Sequence, residues 1–338
     1  MRSFPIGKIP AHILRKTVFK NLGVPSHGLL LGPGIGEDAA VVRMGNAVAV
    51  LSTDPITGAL SNIGWLSVHI NANDIATRGA RPRWYLCSIL LPEDSDEYDL
   101  RQIMSQVDRA CVELEVSVIG GHTEVTPHLK QPIIVGFMVG EVKSGNYFTS
   151  EGATASDVLI MTKSAGIEGT AIIATDRAER LKKFLSAKTI RRAQRLYSKI
   201  SVVDDAMEAV KVGGVEAMHD PTEGGLLCGV WELAEASHLG VRIYPERVPI
   251  AAETKTLCKK LGINPFRIMS SGSLLVAAKT SFAARITSRL RRRGIPAAEI
   301  GHFTKLGDGR RIINKDGSTD ELTPPFPDEV YEVLERLE

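Results

Sequence analysis

Along the 338 residues the spacing of hydrophobic positions changes repeatedly between helical and strand periods. Residues 10–22 have a helical spacing, with Pro10 at a tolerated first-turn position. Gly32-Pro33-Gly34-Ile35-Gly36 then interrupts all periodicity. Strand-like runs follow at 39–43 and 47–53. Residues 64–78 predict a helix with Trp65, Val68, Ala72, Ile75 and Ala76 on an apolar stripe. A strand at 83–91 precedes a helix at 99–114, where Ile103, Val107, Cys111 and Leu114 recur at helical spacing. A short strand at 116–120 ends in Gly120-Gly121, and 132–142 is another strand. Past Gly145 the pattern restarts with a strand at 157–162, a charged helical stretch at 170–199 and a helix at 202–211. A loop at 219–225 leads into a helix at 226–237. Strands at 241–244 and 273–278 and helices near 251–261 and 281–293 complete this half. Residues 323–327 are proline-rich and extended, and a short amphipathic helix closes the sequence. Both halves mix helices with strands, so the expected class is α+β with two domains. The boundaries fall at 1–148, 149–320 and a tail at 321–338, with turn-rich clusters at 144–146 and 151–153.

Composition narrows the function classes. Hydrophobic residues are 43% and charged residues 24%, which excludes long intrinsic disorder. Lys plus Arg is 41 against 39 for Asp plus Glu, a net charge of +2, so a dedicated nucleic-acid binder is not expected. Lys182-Lys183, Arg191-Arg192 and Arg291-Arg292-Arg293 read as solvated helix faces. No apolar run reaches the ~20 residues that span a bilayer, and residues 1–10 lack a secretory apolar core. The expectation is a cytoplasmic chain without membrane contact. Cys87, Cys111, Cys228 and Cys258 form no C-x-x-C pair and read as small buried hydrophobes.

Five segments carry residues suited to chemistry. The glycines of Gly32-Pro33-Gly34-Ile35-Gly36 can turn tightly and present amides to an anion, and Glu37-Asp38 follow directly. Thr53-Asp54-Pro55 stands at a strand end. Asn71, Asp74 and Arg78 share one face of an otherwise apolar helix, where packing alone would not place them. In Gly120-Gly121-His122-Thr123-Glu124, His122 and Glu124 alternate and can point the same way. Asp38, Asp54 and Asp74 on separate elements suit a hard cation such as Mg²⁺, and with the glycine loop they suggest a Mg-nucleotide site. His219-Asp220-Pro221-Thr222-Glu223-Gly224-Gly225 runs into a helix that Asp220 or Thr222 could cap, with Gly224-Gly225 leaving its first amides open to an anion. Ser270-Ser271-Gly272-Ser273 is a less informative loop of the same kind.

In this order the segments resemble the aminoimidazole ribonucleotide (AIR) synthetase superfamily, which includes the hydrogenase maturation protein HypE, selenophosphate synthetase and thiamine monophosphate kinase. Gly36-Glu37-Asp38-Ala39-Ala40-Val41-Val42 resembles the family's G-D-D-A-A-V-V, and Thr53-Asp54 its T-D strand end. Asn73-Asp74-Ile75-Ala76 with Gly79-Ala80-Arg81-Pro82 is similar to its N-D-[LI]-A-x-x-G-A-x-P. Asp220-Pro221-Thr222-Glu223-Gly224-Gly225-Leu226 resembles the D-P-T-R-G-G-L of the HypE branch. The resemblance spans about Gly32 to Phe303.

It implies a homodimer whose N-terminal domains form a β-barrel-like sheet, with a C-terminal α/β domain alongside. It also implies ATP and Mg²⁺ as cofactors, and transfer of a phosphoryl group to a carbonyl- or amide-type oxygen of a small substrate. The partner would be an unidentified small molecule or a maturation-factor protein. Carried over by motif, Asp54, Asp74 and His122 would be catalytic, and Asp38, Asp54, Asp74 and Glu124 would hold metal. Gly34, Gly36, Asp38, Asn73, Gly121, Thr123, Asp220, Thr222, Gly224 and Gly225 would bind the nucleotide, and Lys8 resembles a phosphate-end lysine.

Two departures stand out. His122 occupies the aspartate position of the HypE motif G-G-D-T, and imidazole is a poorer Mg²⁺ ligand than carboxylate. No cysteine follows Cys258, whereas HypE carries its reactive cysteine on its tail. The alternatives are a small-molecule kinase resembling the thiamine enzyme, or a non-catalytic scaffold that binds nucleotide or maturation partners.

Overall fold

A computed structural model describes residues 4, 6–142, 146–324 and 326–337. Lys143 to Gly145, part of the expected 144–146 boundary, and Pro325 lie outside the described residues. The chain divides into two units. One comprises Gly28–Gly32 and Asp38–Tyr147; the other comprises Met1–His27, Pro33–Glu37 and Phe148–Glu338. The expected division at 148–149 therefore differs in two places: most of the first 37 residues go with the later unit, and so does the tail. In place of one helix at 10–22, the N-terminal arm has a short α1 (Ala11–Ile13) that continues as a π-turn through Leu14–Val18 and buries no side chain. No helix among the described residues is long and apolar enough to cross a membrane.

The first unit is a six-stranded sheet with two helices. Its strands are β1 (Leu29–Leu31), β2 (Ala40–Met44), β3 (Ala47–Ile56), β4 (Arg81–Leu91), β5 (Ser117–Val125) and β6 (Ile133–Val142), in the order β1-β2-β3-β6-β4-β5. Every pairing is antiparallel except β4 with β5. Helix α2 (Ile63–Thr77) is buried along its whole length. It lies between the sheet and α3 (Glu97–Leu114), so it is buried on every side rather than along one stripe, its polar residues included. Close approach depends on missing side chains. A Cβ on Gly140 would sit 2.2 Å from Ile75 Cγ2, and one on Gly64 2.4 Å from the Ile103 carbonyl oxygen. Helix α3 starts on a capping box, in which the Asp96 side chain accepts from the Asp99 amide and the Asp99 side chain from the Asp96 amide. The strand expected at 116–120 runs on through Val125, at the sheet edge, with all nine residues exposed. Gly120-Gly121 does not end it, because pairing with β4 continues to Leu91↔Val125.

The second unit carries a seven-stranded sheet, β13-β12-β9-β11-β7-β10-β8. Its strands are β7 (Val158–Thr162), β8 (Val215–His219), β9 (Gly240–Ile243), β10 (Leu275–Ala278), β11 (Ala297–Thr304), β12 (Arg310–Ile313) and β13 (Thr319–Glu321). The charged stretch at 170–199 is broken into α4 (Ile167–Asp176), α5 (Ala178–Leu181), α6 (Ala187–Gln194) and a 3₁₀ turn. Then come α7 (Val203–Val210), α8 (Gly225–Ala236), α9 (Ala252–Leu261), α10 (Thr280–Arg292) and α11 (Glu329–Arg336). The core under α8 joins Leu226, Val230 and Leu233 to Leu159, Met161, Ile300 and Phe303. All four cysteines are buried, as expected.

The closing helix is docked. Val330 and Val333 are buried, the Asn264 amide donates to Glu329 at 2.6 Å, and Arg336 donates to the Leu261 carbonyl at 2.8 Å. Asp328 caps α11 by accepting from the Val330 amide, and it also accepts from the Gly224 amide, both at 2.9 Å. Burial pushes the Asp328 carboxyl up, and nearby Glu168 and Glu223 add to the rise. The two backbone donors oppose it, and the result is about 7 against an ordinary 3.8. A raised value means the folded chain keeps a proton that the unfolded chain releases. The stabilisation is therefore complete below 3.8 and is lost as pH rises through about 7. Asp328→Asn is expected to flatten the fall in melting temperature across that window, measured by scanning calorimetry. An unchanged pH profile would show that Asp328 is not the group responsible.

Candidate functional site

In the first unit, the polar face of α2 organises three aspartates. Asn71 clamps the helix to β3 through the backbone of Asp54: the Asp54 amide donates to Asn71 Oδ1 at 2.9 Å, and Asn71 Nδ2 donates to the Asp54 carbonyl at 3.3 Å. Ser52 Oγ donates to the Asn71 carbonyl at 3.0 Å. Gly136, beside Asp54 on β6, leaves room for this clamp, since a Cβ there would lie 2.4 Å from Asn71 Nδ2. Asp74 lies one turn beyond Asn71 and is buried, as is Asn73. One turn further, the fully buried Arg78 donates to Asp38 at 2.9 Å. Asp54, Asp74 and Asp38 are thereby strung along the Asn71-to-Arg78 face, about 10 Å of helix at 1.5 Å per residue.

His122 and Glu124 do not join them within this unit. Asp54 pairs with Gly136, Gly136 with Cys87, and Cys87 with Gly121, so these four share a sheet face. His122 is the next residue and points to the opposite face, three strand spacings or about 14 Å across the sheet. His122 and Glu124 do point the same way as expected, with His122 Nε2 3.0 Å from Glu124 Oε2. The hydrogen bonds from His122 and Thr126 hold the Glu124 carboxyl below its ordinary range.

In the second unit, Gly34 and Gly36 belong to a stitched turn. The Ser150 hydroxyl donates to the Gly36 carbonyl at 2.6 Å, and the Ser150 amide donates to Glu37 at 3.0 Å. Gly36 has φ +76°, and a Cβ there would meet Glu232 at 3.2 Å. The 219–225 segment departs from expectation. Helix α8 is capped by neither Asp220 nor Thr222; its N-cap is Gly224, with no side-chain cap. Nor are the Gly224 and Gly225 amides open: Asp328 takes the first and the Thr222 carbonyl the second, at 2.9 and 3.1 Å. Both glycines have positive φ, and a Cβ on Gly225 would lie 2.6 Å from the Phe266 carbonyl oxygen. The close fit of this loop to 266–268 and to the tail closes the amides, which local sequence could not show. Asp220 itself is fully buried.

Glu232 is the residue that the sequence pattern concealed. Lys8 Nζ lies 3.1 and 3.2 Å from its two oxygens, and His219 Nε2 lies 2.9 Å from Oε2. Burial would raise the Glu232 carboxyl, but Lys8 and His219 outweigh it and bring the group down to about 2. Lys8 is thus held by a carboxylate of its own chain. A carboxylate between Trp231 and Leu233, in a helix with only Glu235 as a second acid, was the available signal.

The sequence matches the AIR synthase related protein N-terminal domain over residues 36–142 and the corresponding C-terminal domain over 154–314. It is 30% identical over 304 residues to a carbamoyl dehydratase HypE of Bradyrhizobium diazoefficiens, covering 83% of this chain and 84% of that protein. The chain belongs to the AIR synthase-related family. A second relative in this family, a hydrogenase expression/formation protein of Methanocaldococcus jannaschii, is 29% identical over 325 residues, 91% of this chain and 94% of that one. The fold is that of HypE in its crystal structure with ATP, at TM-score 0.71 and 22% identity over 96% of this chain and 98% of that chain. The resemblance drawn from the five segments is therefore correct at the family level, and so is the α+β two-domain fold.

The Arg78–Asp38 pair has a measurable consequence for any AIR synthase-related chain built this way. Asp38→Ala leaves a guanidinium buried without its carboxylate and should destabilise the protein by about 3–5 kcal/mol in urea unfolding. Adding Arg78→Met should restore much of the loss. A single variant as stable as wild type would mean that Arg78 is compensated elsewhere.

Proposed function

We propose that this chain is an ATP-dependent enzyme that transfers a phosphoryl group to a carbonyl- or amide-type oxygen of a small substrate, the activation step of a dehydration. The observation that carries it is the array of Asp38, Asp54 and Asp74 along one face of α2, fixed by Arg78 and Asn71. The support from relatives is the alignment with a carbamoyl dehydratase over 83% of the chain, and the shared fold with a HypE structure holding ATP.

Three carboxylates offer the hard oxygen donors that Mg²⁺ takes together with phosphate oxygens, so the residues fit the ion. When bound, Mg²⁺ would neutralise phosphate charge. The chain's own contribution is positioning. Asn71 fixes the backbone that carries Asp54, Arg78 fixes Asp38, and the wholly buried helix α2 keeps all three rigid. The acceptor oxygen belongs to another molecule. Burial pushes all four thiols up, Cys111 and Cys258 to about 12, so none is poised as a thiolate nucleophile.

The working form is a homodimer. The sheet face opposite α2 exposes Trp84 and Phe137, and the β5 edge exposes Val118, Ile119 and Val125. An open apolar sheet face of this size calls for a cover, and a twin subunit supplies one. His122 and Glu124, on that opposite face, enter the reaction as residues of the dimer face. A hydrogenase maturation factor is the protein partner that the relatives suggest.

Mg-ATP should raise the melting temperature, by mass action worth about 2.7 kcal/mol at a hundredfold excess over Kd. Asp54→Ala should remove most of the shift, since the array loses one of its hard oxygen donors. No shift in wild type at millimolar Mg-ATP would overturn the enzyme reading. Light scattering should give a dimer at micromolar concentration and a monomer for Phe137→Lys; a monomeric wild type would contradict the assembly.

A further inference from the structure

Helix α10 concentrates cations in a chain whose net charge is only +2. Two adjoining surface grooves of about 600 and 650 Å³ run along it and share Ala284, Ser288 and Arg292. Lys211, from the end of α7, and Arg285 and Arg289 line the larger groove. Glu208, a buried carboxylate on α7, holds this array in place. It accepts from Lys211 at 2.6 Å and from Arg289 at 2.6 Å, and lies 3.7 Å from Arg293. The hydrogen bond from Lys211, backed by Arg289, holds the Glu208 carboxyl below its ordinary range, so the anchor stays ionised. Arg291 is fixed separately by two hydrogen bonds to the Ala297 carbonyl, at 2.9 and 2.6 Å. Arg285 lies over the Phe282 ring, 5.1 Å from its centroid. Among the described residues, neither Arg285 nor Arg292 makes an ion pair. Glu299, lining the smaller groove, is the remaining carboxylate.

Six cations thus face two carboxylates. Arg285 and Arg289, and Arg289 and Arg293, are like charges four residues apart on one helix, a destabilising arrangement. The floor is small, Ala284 and Ser288, and the lining is rich in donors. Lys211, Arg289 and Arg293 share the single Glu208 carboxylate, and Arg285 and Arg292 line the same groove. Arginine forks match phosphate oxygens in pairs, which suits an open surface groove that grips an anion by charge. The surplus of several charges calls for a ligand that is multiply ionised.

We propose that the α10 groove is a binding site for a small molecule carrying two or more phosphoryl groups, gripped by Arg285, Arg289, Arg292 and Lys211. The inference is independent of the nucleotide reading above, because it uses none of the residues assigned there.

The test is calorimetric titration of the full chain with tripolyphosphate at physiological ionic strength. EDTA is present, so that metal-dependent nucleotide binding does not contribute. Saturable binding is expected. Arg285→Gln/Arg292→Gln should weaken it by about tenfold or more, as expected for losing two charge-assisted contacts. Ser288→Asp, which places a carboxylate on the groove floor, should abolish it. Lys182→Gln/Lys183→Gln, an exposed basic pair elsewhere, should leave it within about twofold, and so should Asp54→Ala. Absence of binding at millimolar tripolyphosphate would overturn the proposal. So would equal loss in the Lys182/Lys183 control, or binding indifferent to both groove variants.

Discussion

The buried contact between Arg78 and Asp38 sets the terms for the first unit. A guanidinium with no exposed surface is tolerable only when a carboxylate meets it, and that requirement fixes where β2 begins relative to the end of α2. Asn71 does the same at β3, two turns earlier, with backbone hydrogen bonds in place of charge. Between the two anchors α2 has no freedom to slide or rotate. Gly136 and Gly140 let it sit close enough to the sheet for both anchors to form. The acidic array is therefore a by-product of how the helix is fastened, and the rigidity needed for phosphate chemistry comes with the packing.

The second unit solves a different problem. Its motif loop has two consecutive glycines in positive φ, which exposes amides that need acceptors. The tail supplies one through Asp328, and the loop supplies another through Thr222. Docking the tail and closing the loop are thus one event, and Glu223 reinforces it through a hydrogen bond from Tyr331. On the far side of the loop, Lys8 pairs with Glu232 and His219 lies within hydrogen-bond distance of it, so the N-terminal arm is tied to the same helix. Residues far apart in sequence converge on α8 because its buried polar groups demand partners.

Charge is distributed with similar economy. Carboxylates that hold structure, Glu232 and Glu208, are buried and each is met by more than one basic side chain. In the α10 region the cations exceed what Glu208 and Glu299 can neutralise. That is why the near-balanced total charge of the chain conceals a strongly basic groove. The cysteines show the opposite pattern, each buried so that ionisation is suppressed.

The sequence by itself determined the class of fold, most long elements, the family, and the polar face Asn71–Asp74–Arg78. Each is written in local spacing or in a contiguous motif, and local spacing survives folding. It did not show the short strands β1, β12 and β13, whose pairing comes from distant neighbours. Nor did it show that β5 runs on past two glycines, since that depends on β4 beside it. His122 and Asp54 both stand in convincing motifs, yet a one-residue difference in register puts them on opposite faces of a sheet. Gly224 and Gly225 read as an open anion cradle, and a side chain 104 residues away fills it. The basic run at 291–293 read as a solvated face, and only the packing of α10 against α7 made a groove of it. Tertiary structure decided these points because each depends on which side chain meets a given atom across space, and spacing along one segment carries no record of that.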